Sequence, residues 1–163
     1  MTLLPFLTAP LPVQVHIIAA VLALILGPVA LYRRRRDRTH KVVGYVWVTA
    51  MTVLALGSFL IPSHFTPIGI GPLHGFALVT LWSLWAGVKA AIGQDIARHE
   101  AILRSLYSNG LIIAGAFTFL PGRTLNQMLF GAPSHWGWLV IAGLLGLVAA
   151  RVFLPRLRQS RMA

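Results

Sequence analysis

The stretch that decides the fold is Gln94–Arg123, QDIARHEAILRSLYSNGLIIAGAFTFLPGR. It predicts one helix that begins charged, runs through largely apolar positions and leaves the apolar zone at Pro-Gly-Arg. At about 100° per residue, one face of this helix carries a histidine above a stripe that contains two small residues: His99, Leu103, Leu106, Gly110, Ala114 and Phe117. Such spacing usually lets another helix backbone come close, and a flat cofactor ring can use the same gap.

The composition is that of a small membrane protein. Hydrophobic residues make up 57% of the 163 residues and charged residues only 10%, which lies outside the usual range of a soluble domain. Helices of suitable length to cross a ~30 Å hydrocarbon core are predicted at 13–32, 41–61, 72–92, 99–120 and 136–154. We therefore predict an all-α bundle of five transmembrane helices, forming one domain over residues 1–163, with the lipid bilayer as its surroundings.

The basic residues predict the orientation. A net charge of +11 would suggest nucleic acid in a soluble protein, but here Lys and Arg cluster at the ends of apolar runs, as in RRRRDRTHK after the first span. Basic residues near a span resist translocation, and with the amino terminus outside, Arg123 is the only Lys or Arg on the outer side. The sequence predicts a multi-pass protein of a bacterial cytoplasmic (inner) membrane, amino terminus out and carboxyl terminus in, without nucleic-acid binding.

Local signals predict several helix boundaries. Pro28 lies inside the first span and removes an amide donor, which predicts a kink. Thr39 is the predicted N-cap of the second span, Pro62 its terminator and Pro72 the opening of the third span. The first fifteen residues and the segment 121–135 are predicted as outer connecting segments.

Four histidines fall on two levels. His16 and His74 lie near the outer ends of the first and third spans, whereas His40 and His99 lie in the first cytoplasmic turns of the second and fourth. Two such pairs are typical of b-type haem, in which each imidazole takes one axial position of an iron held between helices. An imidazole in the apolar zone is costly unless it is paired, so we expect His16 and His74 to be the stronger pair of haem or metal ligands.

The cytoplasmic histidines also have simpler interpretations. His40 follows a basic cluster and fits a solvated interfacial residue, and His99 fits a polar network with Glu100 and Arg104. Arg123, just beyond the fourth span, is suited to an anionic group such as a haem propionate or a lipid phosphate, although an interfacial arginine is also a common anchor.

The outer histidines leave two further possibilities open. His16 and His74 can form structural hydrogen bonds, or they can combine with His64 and His135 of the outer loops in a copper or zinc site. The chain has no cysteine, so thiolate ligation is excluded.

Three motifs resemble a family of bacterial integral-membrane proteins of unknown function labelled "predicted membrane protein". They are a histidine and Gly-Pro in the first span, HKVVGYVW at the start of the second, and HEAILRSLY leading to Arg123. The family motifs resemble His-Arg-x-x-Gly, here residues 40–44, and His-x-x-Trp-Met-x-Arg-Ser-Tyr, here residues 99–107 without Trp-Met and with the tyrosine one place later. The resemblance implies inner-membrane residence and no particular activity; the paired histidines are more distantly similar to transmembrane b-type cytochromes.

Three classes of function follow from these patterns. The chain is predicted to be an electron-carrying haem protein, a metal-handling membrane protein, or a non-catalytic accessory or scaffold subunit. The third class would use small-residue seams for a partner helix or a second copy, as in the fifth span at Ala142, Gly146 and Ala150. The acidic residues all fall within the basic clusters, so paired-carboxylate catalysis inside the membrane is not expected and no catalytic residue is assigned.

Overall fold

A computed structural model describes residues 3–33, 36–62, 69–131, 135–146 and 150. These residues contain no β-strand, so the predicted all-α class is confirmed for them. The helices in chain order are α1 (Leu4–Leu7), α2 (Leu11–Tyr32), α3 (Arg38–Ser58), α4 (Pro72–Ile92), α5 (Ile96–Ser105), a π-helix (Leu106–Leu111), α6 (Ile112–Phe117), α7 (Thr124–Phe130) and α8 (Gly137–Gly146).

Three of these helices are long and apolar enough to cross a membrane. Helices α2, α3 and α4 contain 22, 21 and 21 residues, close to the ~20 that a hydrocarbon core requires. Their outward surfaces carry large apolar side chains such as Ile25 and Leu78, which are 63% and 61% exposed and so suit contact with lipid. Helix α8 is a shorter apolar helix, and most of the remainder of the predicted fifth span lies outside the described residues.

Residue contacts divide the chain into two compact units. One unit is Ala9–Leu111, and the other combines Met1–Thr8 with Ile112–Ala163. In the first unit α2 packs on α3, α3 on α4 and α4 on α5, and α5 returns to contact α2. An ion pair joins Arg36, just before α3, to Glu100 in the first half of α5, so the starts of these two helices lie together at what we call the basic end of the unit.

The hydrophobic core of this unit lies near the middle of its long helices. Trp47 and Met51 of α3 are each only 1% exposed, and they cluster with Leu84, Leu103 and Leu106 from the other helices. A glycine of α4 lets another helix of the chain pack closely here. The Leu103 side chain occupies the space that a side chain at Gly87 would need.

Several predicted helix boundaries are confirmed and others are wrong. Pro72 does occupy the first turn of α4, which ends at its C-cap Gly93. The N-cap of α3 is Asp37 rather than Thr39, because the Asp37 carboxylate accepts the His40 amide at 3.1 Å. Helix α3 ends at Ser58, before Pro62, because the next three amides bond to carbonyls only three residues back and tighten the chain into a turn.

The helix predicted over Gln94–Arg123 is not a uniform α-helix. A π-helix interrupts it at Leu106–Leu111, and π geometry pairs residues five apart. The buried face therefore runs from Leu106 to Leu111, which is 6% exposed, instead of from Leu106 to Gly110. The predicted stripe holds as far as Leu106 and is wrong beyond it.

The predicted outer connecting segments contain short helices. Helix α1 lies in the first segment, and α7 lies in the second. Asn126 of α7 is fully buried and donates to the Phe119 carbonyl at 2.7 Å. A side chain at Gly137 would collide with these same two groups. Only glycine therefore lets the start of α8 come this close to Phe119 and Asn126. Segment 121–135 is therefore not a simple connecting loop, although Asn126 Oδ1 is buried without a hydrogen-bond partner among the described residues.

Candidate functional site

His16 lies in the first turns of α2 with part of its ring exposed. Its Nδ1 atom is buried and has no hydrogen-bond partner among the described residues. An unpartnered buried nitrogen is costly, so His16 has ligand capacity that the surrounding protein does not use.

His74 has a different role, because its ring completes the start of α4. The Gly71 amide donates to His74 Nδ1 at 3.0 Å, and the ring packs against Phe59 with centroids 5.5 Å apart. Since Nδ1 accepts a hydrogen bond, the neutral ring carries its hydrogen on Nε2. Binding a metal through Nε2 would require the other tautomer and the loss of this cap.

His99 has the hydrogen-bonding pattern expected of a ligand. Its Nδ1 lies 2.9 Å from the carbonyl oxygen of Gly87 in α4. A carbonyl can only accept, so Nδ1 carries the hydrogen and a neutral ring keeps its lone pair on Nε2. Metal-bound histidines usually donate their second nitrogen in this way, which fixes the tautomer and the ring orientation.

His40 heads the stripe of α3 that faces the core. Its Nδ1 is buried without a hydrogen-bond partner among the described residues. One turn further along α3, a side chain at Gly44 would meet nothing within 4 Å, and the next turns on this face carry the buried Trp47 and Met51. There is therefore space beside the helix next to His40, of the kind that the sequence predicts for a flat ring.

The remaining predicted site residues are less informative. Arg123 is the N-cap of α7, in the unit that contains Ile112–Ala163. His135 is exposed in that unit, whereas His64 lies outside the described residues. Among the residues that the structure describes, no group of three or more His, Cys, Asp or Glu side chains is placed to hold a metal ion. The predicted outer copper or zinc site thus stays a prediction.

A network of charges surrounds the basic end. Glu100 accepts from both Arg36 and Arg104, and Arg104 also lies over the Tyr32 ring, 5.6 Å from its centroid. The hydrogen bond from Arg33, together with that from the His40 amide, lowers the pKa of Asp37 to about 2. Asp37 therefore stays ionised at neutral pH, where it caps α3 and favours the positive end of the helix dipole.

The contacts that hold α5 and the π-helix against α2 could not be predicted from the sequence. The Tyr107 hydroxyl donates to the Leu24 carbonyl at 3.1 Å, and its ring occupies the space beside Gly27. In a regular helix the Leu24 carbonyl would accept from the amide of residue 28, but Pro28 has no amide hydrogen. Tyr107 thus replaces the hydrogen bond that the proline removes.

A second side chain supports the same segment of α2. The indole nitrogen of Trp47 donates to the carbonyl of Ala23 at 3.0 Å, one residue before Leu24. Both Pro28 and Tyr107 belong to the motifs singled out in the sequence. Their pairing was not visible there, because 83 residues separate Tyr107 from its acceptor.

The proline and tyrosine should be energetically coupled. We expect Tyr107→Phe to destabilise the protein by about 1 kcal/mol, because the Leu24 carbonyl then has no donor. In a Pro28→Ala background the restored amide serves that carbonyl, so the same change should cost clearly less. Unfolding in mixed detergent micelles, followed by circular dichroism for both single variants and the double variant, measures the difference. Equal costs in the two backgrounds would contradict the pairing.

Comparison with models of known protein families identifies the family of this chain. The family described as "Predicted membrane protein (DUF2306)" matches residues 13–157. This confirms the resemblance inferred from the motifs, and the family's description agrees with the three helices that are long and apolar enough to cross a membrane. No curated protein and no solved structure matches it.

Proposed function

We propose that this chain, which belongs to the Predicted membrane protein (DUF2306) family, is a haem-binding electron-transfer protein of the inner membrane. The observation that carries the proposal is the 2.9 Å hydrogen bond between His99 Nδ1 and the Gly87 carbonyl. It leaves Nε2 of a neutral imidazole free and holds the ring in one orientation. We assign His99 and His40 as the ligands of a b-type haem at the basic end.

The contact between α4 and α5 holds the His99 ring rigidly in place as a ligand. Gly87 has no side chain, and Leu103, one turn after His99, packs into the space this leaves. Leu103 is only 4% exposed, so the two helices cannot separate here without opening the core. The Gly87 carbonyl is therefore a fixed acceptor, and it sets both the tautomer and the direction of the ring.

His40 is the second proposed ligand. Its buried Nδ1 has no partner among the described residues, and a bond to iron would remove that cost. The open space beside Gly44 gives room for part of a macrocycle. Two neutral imidazoles are the axial set of many b-type haems, which supply one-electron oxidation and reduction when bound.

The charges of the basic end favour the same ligand. Haem propionates are anionic, and arginine donates well to carboxylates in paired geometry. Arg36 and Arg104 already hold one carboxylate, that of Glu100, between them. Other basic residues at this end are exposed and available to an anionic group, among them Arg38, Lys41 and Arg98.

A second haem between His16 and His74 stays part of the proposal, in second place. His16 offers a buried unpartnered Nδ1, which supports it. His74 must give up the Gly71 hydrogen bond to bind iron, which weighs against it. These hydrogen bonds thus favour His40 and His99 over His16 and His74 as haem ligands. This is the reverse of the order expected from the depth of the histidines in the membrane. Arg123 stays a predicted contact for a propionate or a lipid phosphate.

Absorption spectroscopy tests the proposal. Protein made with ample haem, purified in mild detergent and measured oxidised and dithionite-reduced, should show a Soret band and the narrow visible bands of low-spin b-type haem. We expect His99→Ala and His40→Ala each to remove most of this absorbance, because each variant removes one axial ligand. His135→Ala is the matched control, since His135 is an exposed histidine of the other unit and should leave the spectrum unchanged.

Each other outcome has a definite meaning. Absence of a Soret band in the unmodified protein would overturn the electron-transfer proposal. A band that survives His99→Ala and His40→Ala, but is lost in His16→Ala or His74→Ala, would assign the haem to the outer pair.

The scaffold function is the second candidate, and the exposure of the α8 seam favours it. Ala142 and Gly146 are exposed on α8 within the described structure. Small residues four apart suit close approach of another membrane helix, from a partner or from a second copy. A haem-free protein that loses a co-purifying subunit on Gly146→Leu, while His99→Ala has no effect on that subunit, would establish this function instead.

The proposed topology has five spans, with the amino terminus outside and the carboxyl terminus in the cytoplasm. The length of α2, α3 and α4 and the position of the basic residues support it. Reporter fusions should place Ser63 and Asn126 outside and Arg36, Asp95 and Arg158 inside. A cytoplasmic Asn126 would contradict the arrangement.

A further inference from the structure

A lateral groove of about 480 Å³ runs along the surface of the unit Ala9–Leu111. Helix α3 contributes Val48 and Thr52 to one wall, and α4 contributes residues from Leu81 to Ile92 to the other. Its volume lies in the range of about 300–1,000 Å³ typical of small-molecule sites. None of the histidines assigned above lines it, so it is separate from the proposed haem site.

The groove is apolar along its length. Thr52 offers the only hydroxyl group of the lining residues, and it already donates to the Val48 carbonyl at 2.8 Å. Val88, which is 37% exposed, opens the groove towards the lipid-facing surface. Apart from Lys89, the Trp85 indole N–H is the one free side-chain donor of the lining residues, so a strongly hydrated ligand would lose hydrogen bonds to water on entering, whereas an acyl chain would lose none.

One end of the groove is charged. Lys89 is the only charged residue that lines it and lies in the last turn of α4, at the basic end. Its ammonium group lies 4.8 Å from the centroid of the Trp85 ring, a cation–π contact that keeps it beside the groove. No carboxylate forms an ion pair with Lys89 among the residues that the structure describes.

We propose that this groove binds an anionic glycerophospholipid, with one acyl chain along α3 and α4 and its phosphate at Lys89. A cation without a carboxylate partner at the end of an apolar groove is complementary to an amphiphile that has an apolar chain and an anionic head. Neutral lipids, and neutral ring compounds such as quinones, would leave Lys89 without a counter-charge. The assignment does not depend on the haem proposal.

Lipid retention measured by native mass spectrometry tests this site. The protein is reconstituted into vesicles of equal parts phosphatidylcholine and phosphatidylglycerol with matched acyl chains, extracted, and its bound lipids are identified by mass. The unmodified protein should retain phosphatidylglycerol in preference to phosphatidylcholine. We expect Lys89→Gln to lower that preference about fivefold relative to Lys41→Gln, the size expected for one basic residue near an anionic headgroup.

Lys41→Gln is the matched control because Lys41 is exposed at the basic end but does not line the groove. Val88→Trp should fill the groove and remove both lipids. Equal retention of the two lipids by the unmodified protein, or the same preference in Lys89→Gln and Lys41→Gln, would overturn the proposal. So would a dimer that Val88→Trp dissociates, since a second copy would then cover the groove. If Val88→Trp does not fold, the comparison of the two lysine variants still decides.

Discussion

Replacing Trp47 by alanine is expected to destabilise the unit Ala9–Leu111 by at least about 3 kcal/mol. Trp47 is 1% exposed and packs in the central cluster with Met51, Leu84 and Leu106, so its removal leaves a large cavity. The change also removes the indole donor to the Ala23 carbonyl. Reversible unfolding in mixed detergent micelles, followed by far-ultraviolet circular dichroism, gives the free energy.

Two further variants separate the causes of this effect. Trp47→Phe keeps most of the ring but loses the indole nitrogen, so it should cost about 1 kcal/mol, the size of one hydrogen bond between membrane helices. Trp82→Ala removes a tryptophan that is 67% exposed on the outward surface of α4 and should change stability little. Equal losses in Trp47→Ala and Trp82→Ala would show that Trp47 is not a core residue.

Adding a methyl group at Gly27 is expected to destabilise the same unit by about 1–3 kcal/mol, the usual cost of overpacking. The Tyr107 ring lies where the new side chain would be, and it cannot move without losing its hydrogen bond to Leu24. Gly27→Ala therefore separates the π-helix from α2 at the level of Pro28. The same unfolding measurement in detergent tests this.

Gly75→Ala is the control for this prediction. Gly75 lies on an exposed position of α4, and a side chain there would meet nothing within 4 Å, so the change should be neutral or slightly stabilising. Combining Gly27→Ala with Tyr107→Ala removes the collision, so the double variant should be less destabilised than the sum of the two single changes. Strict additivity would contradict the contact.

Much of the fold follows from local chemistry and was predictable from the sequence. The all-α class and the positions of α2, α3 and α4 follow from apolar runs of spanning length, since a backbone in lipid must satisfy its hydrogen bonds within each segment. Pro72 opens α4 and Gly93 ends it for equally local reasons. The predicted N-cap of α3, Thr39, is wrong, because the carboxylate of Asp37 bonds the helix start more strongly than a hydroxyl group does.

The candidate site depended more on distant contacts. The sequence placed His40 and His99 in the first turns of α3 and α5, and the structure confirms those helical positions. Which ring nitrogen is free is decided by partners elsewhere in the fold. His99 receives its acceptor from Gly87, whereas His74 is occupied by the Gly71 amide, so two histidines that look alike in the sequence differ as ligands.

The π-helix and the hydrogen bond that compensates for Pro28 depend on tertiary structure alone. Periodicity predicts a regular helix through Leu106–Leu111, since nothing local marks an extra residue per turn. Only the packed bundle brings Tyr107 to the carbonyl that Pro28 leaves free. A sequence specifies that this carbonyl lacks its amide partner, but the donor comes from a helix far along the chain, because a hydrogen bond depends on distance in space and not on separation in sequence.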